Sequence, residues 1–319
     1  MKKRKYLAFV MLLAIILIFT TNKAQAFVFG SDVHPAYGDE SNPNLNNLAN
    51  LLSFIYDDGI GLCGDNVRRE SGPNGQLQMD YYAIMSVIAN CYYNYDWTVY
   101  PTVYTSKGNH DLNVNGEINY KTYDLDYADY PRQYENDYLE VFAINSDSFN
   151  NSTTPSILNA WLNNQRSNGK IKVIMSHFPL HTKRSGYPTN WFPSAQAQTN
   201  IYNTIDYWTK TDNPSRNGGP LDIVFLWGHN HDAALQQQEN IDKIAAPGEK
   251  MAISYNSNVH HANANKTLNF TYLNAGFVLG DDGGHMSQII PLPFCLYIIR
   301  YGKYGSEEST FIMRKDFEY

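Results

Sequence analysis

Cysteine is scarce in this chain, with three in 319 residues at positions 63, 91 and 295. None has the close spacing of a thiolate metal site, and an odd count leaves at least one thiol unpaired within the chain. Neither a thiolate zinc site nor a disulfide scaffold is expected. Cys63 lies in GIGLCGD, which reads as a buried strand, so its side chain is expected to serve as a small core hydrophobe. Basic residues are also few. Beyond residue 26 there are 19 against 31 acidic residues, because five of the 24 basic residues and no acidic ones precede that point, leaving a net −12. Such a surface repels phosphate polymers, so no nucleic-acid polymer is expected as a partner. There is no internal repeat and no linker-like stretch to divide the chain. Aromatic residues are plentiful at 14%, which excludes intrinsic disorder.

The N-terminus has its own character. MKKRKYLAFVMLLAIILIFTTNKAQAF starts with four basic residues, continues with an apolar stretch from Tyr6 to about Phe19, and reaches the small-residue sequence AQA. This is the three-part pattern of a secretory signal, with cleavage expected after Ala26. The apolar run is shorter than the ~20 residues of a spanning helix. No cysteine follows it that could carry a lipid. Residues 1–26 are therefore read as a signal peptide and 27–319 as one exported domain, secreted or periplasmic, with no stable membrane anchor after cleavage. Its oligomeric state is not legible.

Past residue 26, strand-like and helix-like segments alternate. FVFGSDVH (27–34), GIGLCGD (59–65), VYPTVYTS (99–106), YLEVFAINSDS (138–148), IKVIMSH (171–177) and LDIVFLW (221–227) read as strands. Helical spacing appears in 42–59, 75–93, 155–169 and around 195–209. The polar stretch 112–137 reads as a long surface loop. After residue 250 the pieces MAISY, LNFTYLNAG, CLYIIRY and STFIMRK are β-like. The alternation predicts a layered α/β domain.

Each of the best strands ends in the same kind of polar group: DVH, GDN, GNHD, SHFP and GHNH. Five of the nine histidines sit in these groups. In open α/β sheets the carboxyl ends of strands share one rim, so these motifs are expected to converge. The cluster offers carboxylates, an amide and imidazoles, which suit Zn, Mn or Fe better than Ca. Seven candidate ligands exceed one tetrahedral ion and match two ions sharing a carboxylate, ~3.5–4 Å apart.

In that order, DxH…GD…GNHD…H…GHxH resembles the signature of the calcineurin-like metallophosphoesterases, over about residues 27–235. The resemblance implies a two-sheet β-sandwich flanked by helices and a single catalytic domain. It implies that Asp32, His34 and His231 hold one metal, that Asn109, His177 and His229 hold the other, and that Asp65 bridges them. It further implies two divalent or mixed-valence ions, a small phosphorylated substrate, and a hydroxide shared by the ions as nucleophile. His110 would protonate the leaving oxygen, with Asp111 hydrogen-bonded to its imidazole and raising its pKa. Gly108 would permit the tight turn.

His181, Lys183 and Arg184 are candidate substrate contacts, weighed against ordinary loop roles. Tyr187, Trp191 and Phe192 read equally as substrate-stacking or loop-packing residues. His260 and His261 read as exposed, and His285 is a weaker candidate for the rim. Around SHFPLHT the sequence is loosely similar to tartrate-resistant acid phosphatases. It departs from them at Arg68, where purple acid phosphatases have an iron-binding tyrosine, and at His34. Phosphomonoester hydrolysis is therefore set beside a phosphodiesterase acting on cyclic nucleotides, glycerophosphodiesters or sphingomyelin-like lipids, and beside a catalytically silent binding protein. The exported protein should begin near Phe27. Mass spectrometry of material recovered outside the cytoplasm tests this, and an intact, membrane-embedded N-terminus would contradict it.

Overall fold

The computed structural model describes residues 26–35, 43–54, 59–67, 74–93, 102–111, 132–135, 139–164, 170–181, 183–184, 193–210, 223–229, 247–249, 251, 259–260, 263, 266–279, 284–292, 295–302 and 307–314. Every statement of structure below concerns these residues. The signal-peptide reading of residues 1–25, and His231, Arg68, Tyr187, Trp191, Phe192 and His261, lie outside them. So do the side chains of Lys183, Arg184, His260 and Cys295. No helix among the described residues is long and apolar enough to cross a membrane.

The first sheet contains β1 (Phe27–Gly30), β2 (Gly59–Cys63), β3 (Thr102–Ser106), β11 (Met286–Leu292), β12 (Cys295–Tyr301) and β13 (Glu307–Arg314). Their order is β13-β12-β11-β1-β2-β3. Strands β1, β2 and β3 run parallel, and β11 joins β1 antiparallel. The second sheet contains β4 (Arg132–Glu135), β5 (Leu139–Ile144), β6 (Ile171–Ser176), β8 (Ile223–Trp227) and β10 (Thr271–Asn274), in the order β10-β8-β6-β5-β4. All but β4 are parallel to their neighbours. A two-stranded ribbon pairs β7 (Lys183–Arg184) with β9 (Val259–His260). The helices are α1 (Pro43–Phe54), α2 (Asn74–Tyr93), α3 (Ser146–Phe149), α4 (Thr154–Asn164) and α5 (Ala195–Lys210).

Side-chain alternation along each strand builds the layers. Phe27 and Phe29 face Val141, Ala143, Val173, Met175, Val224 and Leu226 in the core between the sheets. The intervening Val28, with Ile60 and Leu62, packs under α1 and α2. On the far side, Phe142, Ile174 and Phe225 pack under α4 and α5. Strands buried on both faces read as near-continuous apolar runs for this reason. The result is the expected two-sheet sandwich flanked by helices. Cys63 is a free thiol in the inter-sheet core, and burial pushes its pKa up.

Three local expectations need correction. Residues 132–135, expected in the long polar loop, form β4, an edge strand. Its polar sequence RQYE suits an edge, where charge discourages further pairing. The strand expected over 138–148 ends at Ile144, and SDSF turns into α3 with Asp147 accepting the Ser148 N–H at 2.8 Å. Strand β11 was not anticipated because Pro291 interrupts its pattern. Strand β1 pairs only residues 287–289, so Pro291 lies beyond that partner, where a missing N–H is tolerated. The β-like stretches LNFTYLNAG, CLYIIRY and STFIMRK form β10, β12 and β13 as expected, the first in the second sheet and the other two in the first.

Candidate metal centre

Strands β1, β2, β3, β6 and β8 deliver their following loops to one rim, and each loop carries a candidate ligand. The loops are bonded to one another. Asp32 N donates to Gly64 O at 3.0 Å, His34 N to Asp65 O at 3.3 Å, and Gly228 N to His177 O at 3.0 Å. Asp32, Asp65, Asn109 and His177 are buried, His34 is nearly so, and His110 and His229 are half-buried.

Asp65 stands at the centre. Its Oδ1 accepts the backbone N–H of His110 at 2.7 Å. Its Oδ2 faces His177 Nε2 at 3.0 Å, His34 Nε2 at 3.5 Å and His110 Nε2 at 4.0 Å. Two sets of donor atoms therefore share this carboxylate: His34, Asp65 and His110 in one, and Asp65, His177 and His229 in the other. Asp32 lies beside the first set, with Oδ1 at 3.7 Å from His34 Nε2. Its Oδ2 accepts from Ser31 Oγ at 2.5 Å and from the His229 N–H at 3.1 Å.

His177 tests whether the donors fit a cation. Its Nδ1 lies 3.1 Å from Cys63 O, an atom that can only accept, so Nδ1 carries hydrogen. Nε2 then turns toward Asp65 Oδ2, Asn109 Oδ1 at 3.1 Å and His229 Nδ1 at 2.9 Å. Oxygen and nitrogen acceptors this close require a proton or a metal ion between them. The neutral-imidazole, carboxylate and amide chemistry suits a divalent ion, and the Cys63 carbonyl orients the ring as an outer partner of a ligand does.

Three features keep the rim tight. Asp32, His34, Asp65 and His229 all have left-handed backbones, with φ of 54°, 42°, 52° and 75°. Such conformations cost L-residues ~1–3 kcal/mol each and persist where surroundings enforce them. Gly108 is required by contact: a Cβ there would collide with the Asp65 carboxylate and backbone nitrogen. Asp111 is fully buried and holds the loop, accepting from Val67 N at 2.9 Å, Gly108 N at 2.8 Å and Asn66 Nδ2 at 3.4 Å.

That arrangement corrects the role expected for Asp111. Its carboxylate is committed to backbone N–H groups, so it anchors the GNHD turn instead of orienting the His110 imidazole. Burial and the Asp65 charge push its pKa up to about 6, against those donors. The His110 pKa is lowered, chiefly by burial and secondarily by His34 and His177, contrary to the expected rise. His110 also contacts His34 edge-on, with ring centroids 4.7 Å apart, and its place within the first donor set was not anticipated for a purely catalytic residue. His181 is not on a surface loop. It is buried, with Nδ1 2.7 Å from Tyr272 Oη and its ring edge-on to Trp227 and Tyr272, because the outer helical layer covers this part of the second sheet. The backbones of Lys183 and His260 pair with each other in the ribbon. His285 is partly exposed and packs on Phe277 at 5.0 Å. Sequence reasoning missed Ser31, Asn66, Asn145 and Ser146. The last two clasp Lys107 through its N–H (3.0 Å) and its carbonyl (3.0 and 2.8 Å), and no local motif announces them.

The family model described as calcineurin-like phosphoesterase matches residues 26–233. The chain belongs to that family. A search of curated proteins finds no match. Among solved structures, a dimetal phosphatase from Danio rerio is similar at 8% identity and TM-score 0.56, covering 92% of this chain and 100% of that one. A predicted phosphoesterase from Streptococcus pneumoniae gives 12% identity, TM-score 0.36 and coverage of 91% and 97%. GAP50, the anchor in the inner membrane complex of Plasmodium, gives 11%, 0.46, and 92% and 89%. The first of these supports the fold.

Two measurements follow for this calcineurin-like phosphoesterase. Burial alone would lower the His177 pKa, but Asp65, through its charge and hydrogen bond, raises it to about 9 from 6.5. A raised folded pKa contributes stability that is full below pH 6.5 and lost as pH rises through about 9. His34 shifts in the same direction, its burial outweighed by Asp32 and Asp65. Metal-free protein should therefore melt at falling temperature between those pH values, and saturating divalent metal, which replaces the proton, should flatten the slope. A flat metal-free profile would contradict the assignment. Separately, Asp65→Asn should lower the content of both ions together, and elemental analysis showing full occupancy would rule out the shared carboxylate.

Proposed function

We propose that this protein is an exported hydrolase of small phosphate monoesters that works with two metal ions. Asp32, His34 and His231 would hold one ion, Asn109, His177 and His229 the other, and Asp65 both. The observation that carries the reading is the single Asp65 oxygen facing imidazoles from both sides of the rim. When bound, two divalent ions supply Lewis acidity, lowering the pKa of a water molecule and offsetting charge on phosphate oxygens. The ligand set suits Zn, Mn or Fe. Export is supported by the basic, apolar and small-residue order of residues 1–26.

The chain's own residues have distinct tasks. Asp65, Asp111 and the Lys107 clasp hold the GNHD turn in place, so that Asn109 and His110 stand at the rim. His110 is the half-exposed imidazole among them, and substrate can reach it there. It would donate a proton to the leaving oxygen or stabilise the charge developing on it. The joint presence of these groups argues against a silent binding protein. Phosphodiester hydrolysis stays as a second reading because His34 lies within the centre, as the DxH motif of many diesterases implies. Metal-loaded protein assayed on p-nitrophenyl phosphate, bis-p-nitrophenyl phosphate and nucleotides separates the two, and greater turnover of the diester would reverse the order.

A general acid typically contributes ~10²–10⁴-fold to rate. His110→Ala should keep both ions and the fold while losing turnover, most for alkoxide leaving groups and least for p-nitrophenolate, which leaves without a proton. Loss of an ion by elemental analysis would make His110 a ligand. Equal losses on both kinds of ester would make its role electrostatic.

A further inference from the structure

Helix α1 lies between the first and second site loops in sequence and contains four asparagines, at 44, 46, 47 and 50. Asn46 and Asn50 are exposed, whereas Asn44 and Asn47, three residues apart on one face, are buried. Burying an amide is favourable only where it finds partners. Asn44 Nδ2 donates to His34 O at 3.0 Å, and Asn47 Nδ2 donates to Val278 O at 3.1 Å.

Those carbonyls belong to one structure. Residues 31–34 carry two candidate ligands in left-handed conformations, so regular secondary structure cannot satisfy their backbone groups. Ser31 O accepts from Val278 N and Asp32 O from Leu279 N, both at 2.9 Å. The N–H groups of Asp32 and His34 go to Gly64 O and Asp65 O. The His34 carbonyl accepts from Asn44 Nδ2, so helix α1 supports the same turn. Asn47 ties the 278–279 strap to the same helix. That strap lies outside residues 26–233, the part of the chain matched by the family model.

We propose that Asn44 is a positioning residue for the metal-holding half built on Asp32 and His34. Its amide fixes the His34 peptide plane, and with it the direction in which the imidazole leaves the backbone, before any ion arrives. This inference rests on the two-ion reading. Outer partners of metal ligands typically govern affinity by ~10–100-fold. Asn44 acts through the His34 peptide, and His34 belongs to the donor set apart from His177 and His229, so the effect is expected on the ion of that half.

The test is a Co²⁺ titration of metal-free protein, read by calorimetry and elemental analysis, with thermal unfolding of the same metal-free samples. Asn44→Asp keeps the shape and loses the donor; Asn44→Ala loses both without adding charge. If one variant fails to fold, the other is read. The expected result is one ion bound as in wild type and the other weakened ~10–100-fold, with little change in metal-free melting. Unchanged affinity for both ions would overturn the inference. So would equal weakening of both in step with lost stability, which marks a merely structural bond. A wild-type chain that takes up fewer than two ions counts against the two-ion reading itself. In that case an unchanged affinity in the variants for whatever ion remains would overturn the role of Asn44 as well.

Discussion

One carboxylate organises the rim of this protein. Asp65 is buried at the end of β2, its Oδ1 fixed by the backbone of the third strand's loop and its Oδ2 exposed to imidazoles from both sheets. Burial would by itself make the charged form costly. His177, His34 and His110 outweigh that cost and hold the carboxyl well below the usual carboxylate range. An anion stable under those conditions attracts cations, first protons on the surrounding histidines and then metal ions. The raised pKa of His177 and the lowered one of Asp65 describe the same attraction from its two ends.

The backbone around this anion is arranged at some energetic cost. Four candidate ligands have left-handed conformations that side chains with a Cβ seldom adopt. Local hydrogen bonds offset the strain. Asp111 gathers N–H groups from two loops, Asn145 and Ser146 clasp Lys107 from the opposite sheet, and Asn44 takes the His34 carbonyl. These supports come from elements on both sides of the sandwich. The centre is therefore held by the whole fold more than by any single motif.

The sequence revealed the layers and the candidate ligands for related reasons. Strands buried on both faces must be apolar throughout, so IKVIMS and IVFLW were visible as such, and each stops abruptly where a charged or imidazole side chain must reach the rim. Helix α1 announced itself through Leu48 and Leu52. What stayed hidden depends on pairing across long distances. Strand β4 is polar because it is an edge, and β11 contains a proline that its partner does not contradict. The carboxylate of Asp111 could have served either the imidazole beside it or the peptide groups beneath it, and adjacency in sequence does not decide between them. His181 resembled a loop residue because the Tyr272 that receives it lies 91 positions away.

Strand β1 shows what such distances mean for the life of the chain. It carries the loop with Asp32 and His34, yet one of its two neighbours is β11, in which Ile289 pairs with Phe27. The first candidate ligands to be synthesised thus wait for nearly the last strands. At ~5–20 residues per second, the N-terminal strand spends tens of seconds without its β11 partner. Topologies so dominated by non-local pairs fold slowly. A nascent chain of this design cannot complete the sheet that carries Asp32 and His34 until its C-terminal strands have been made.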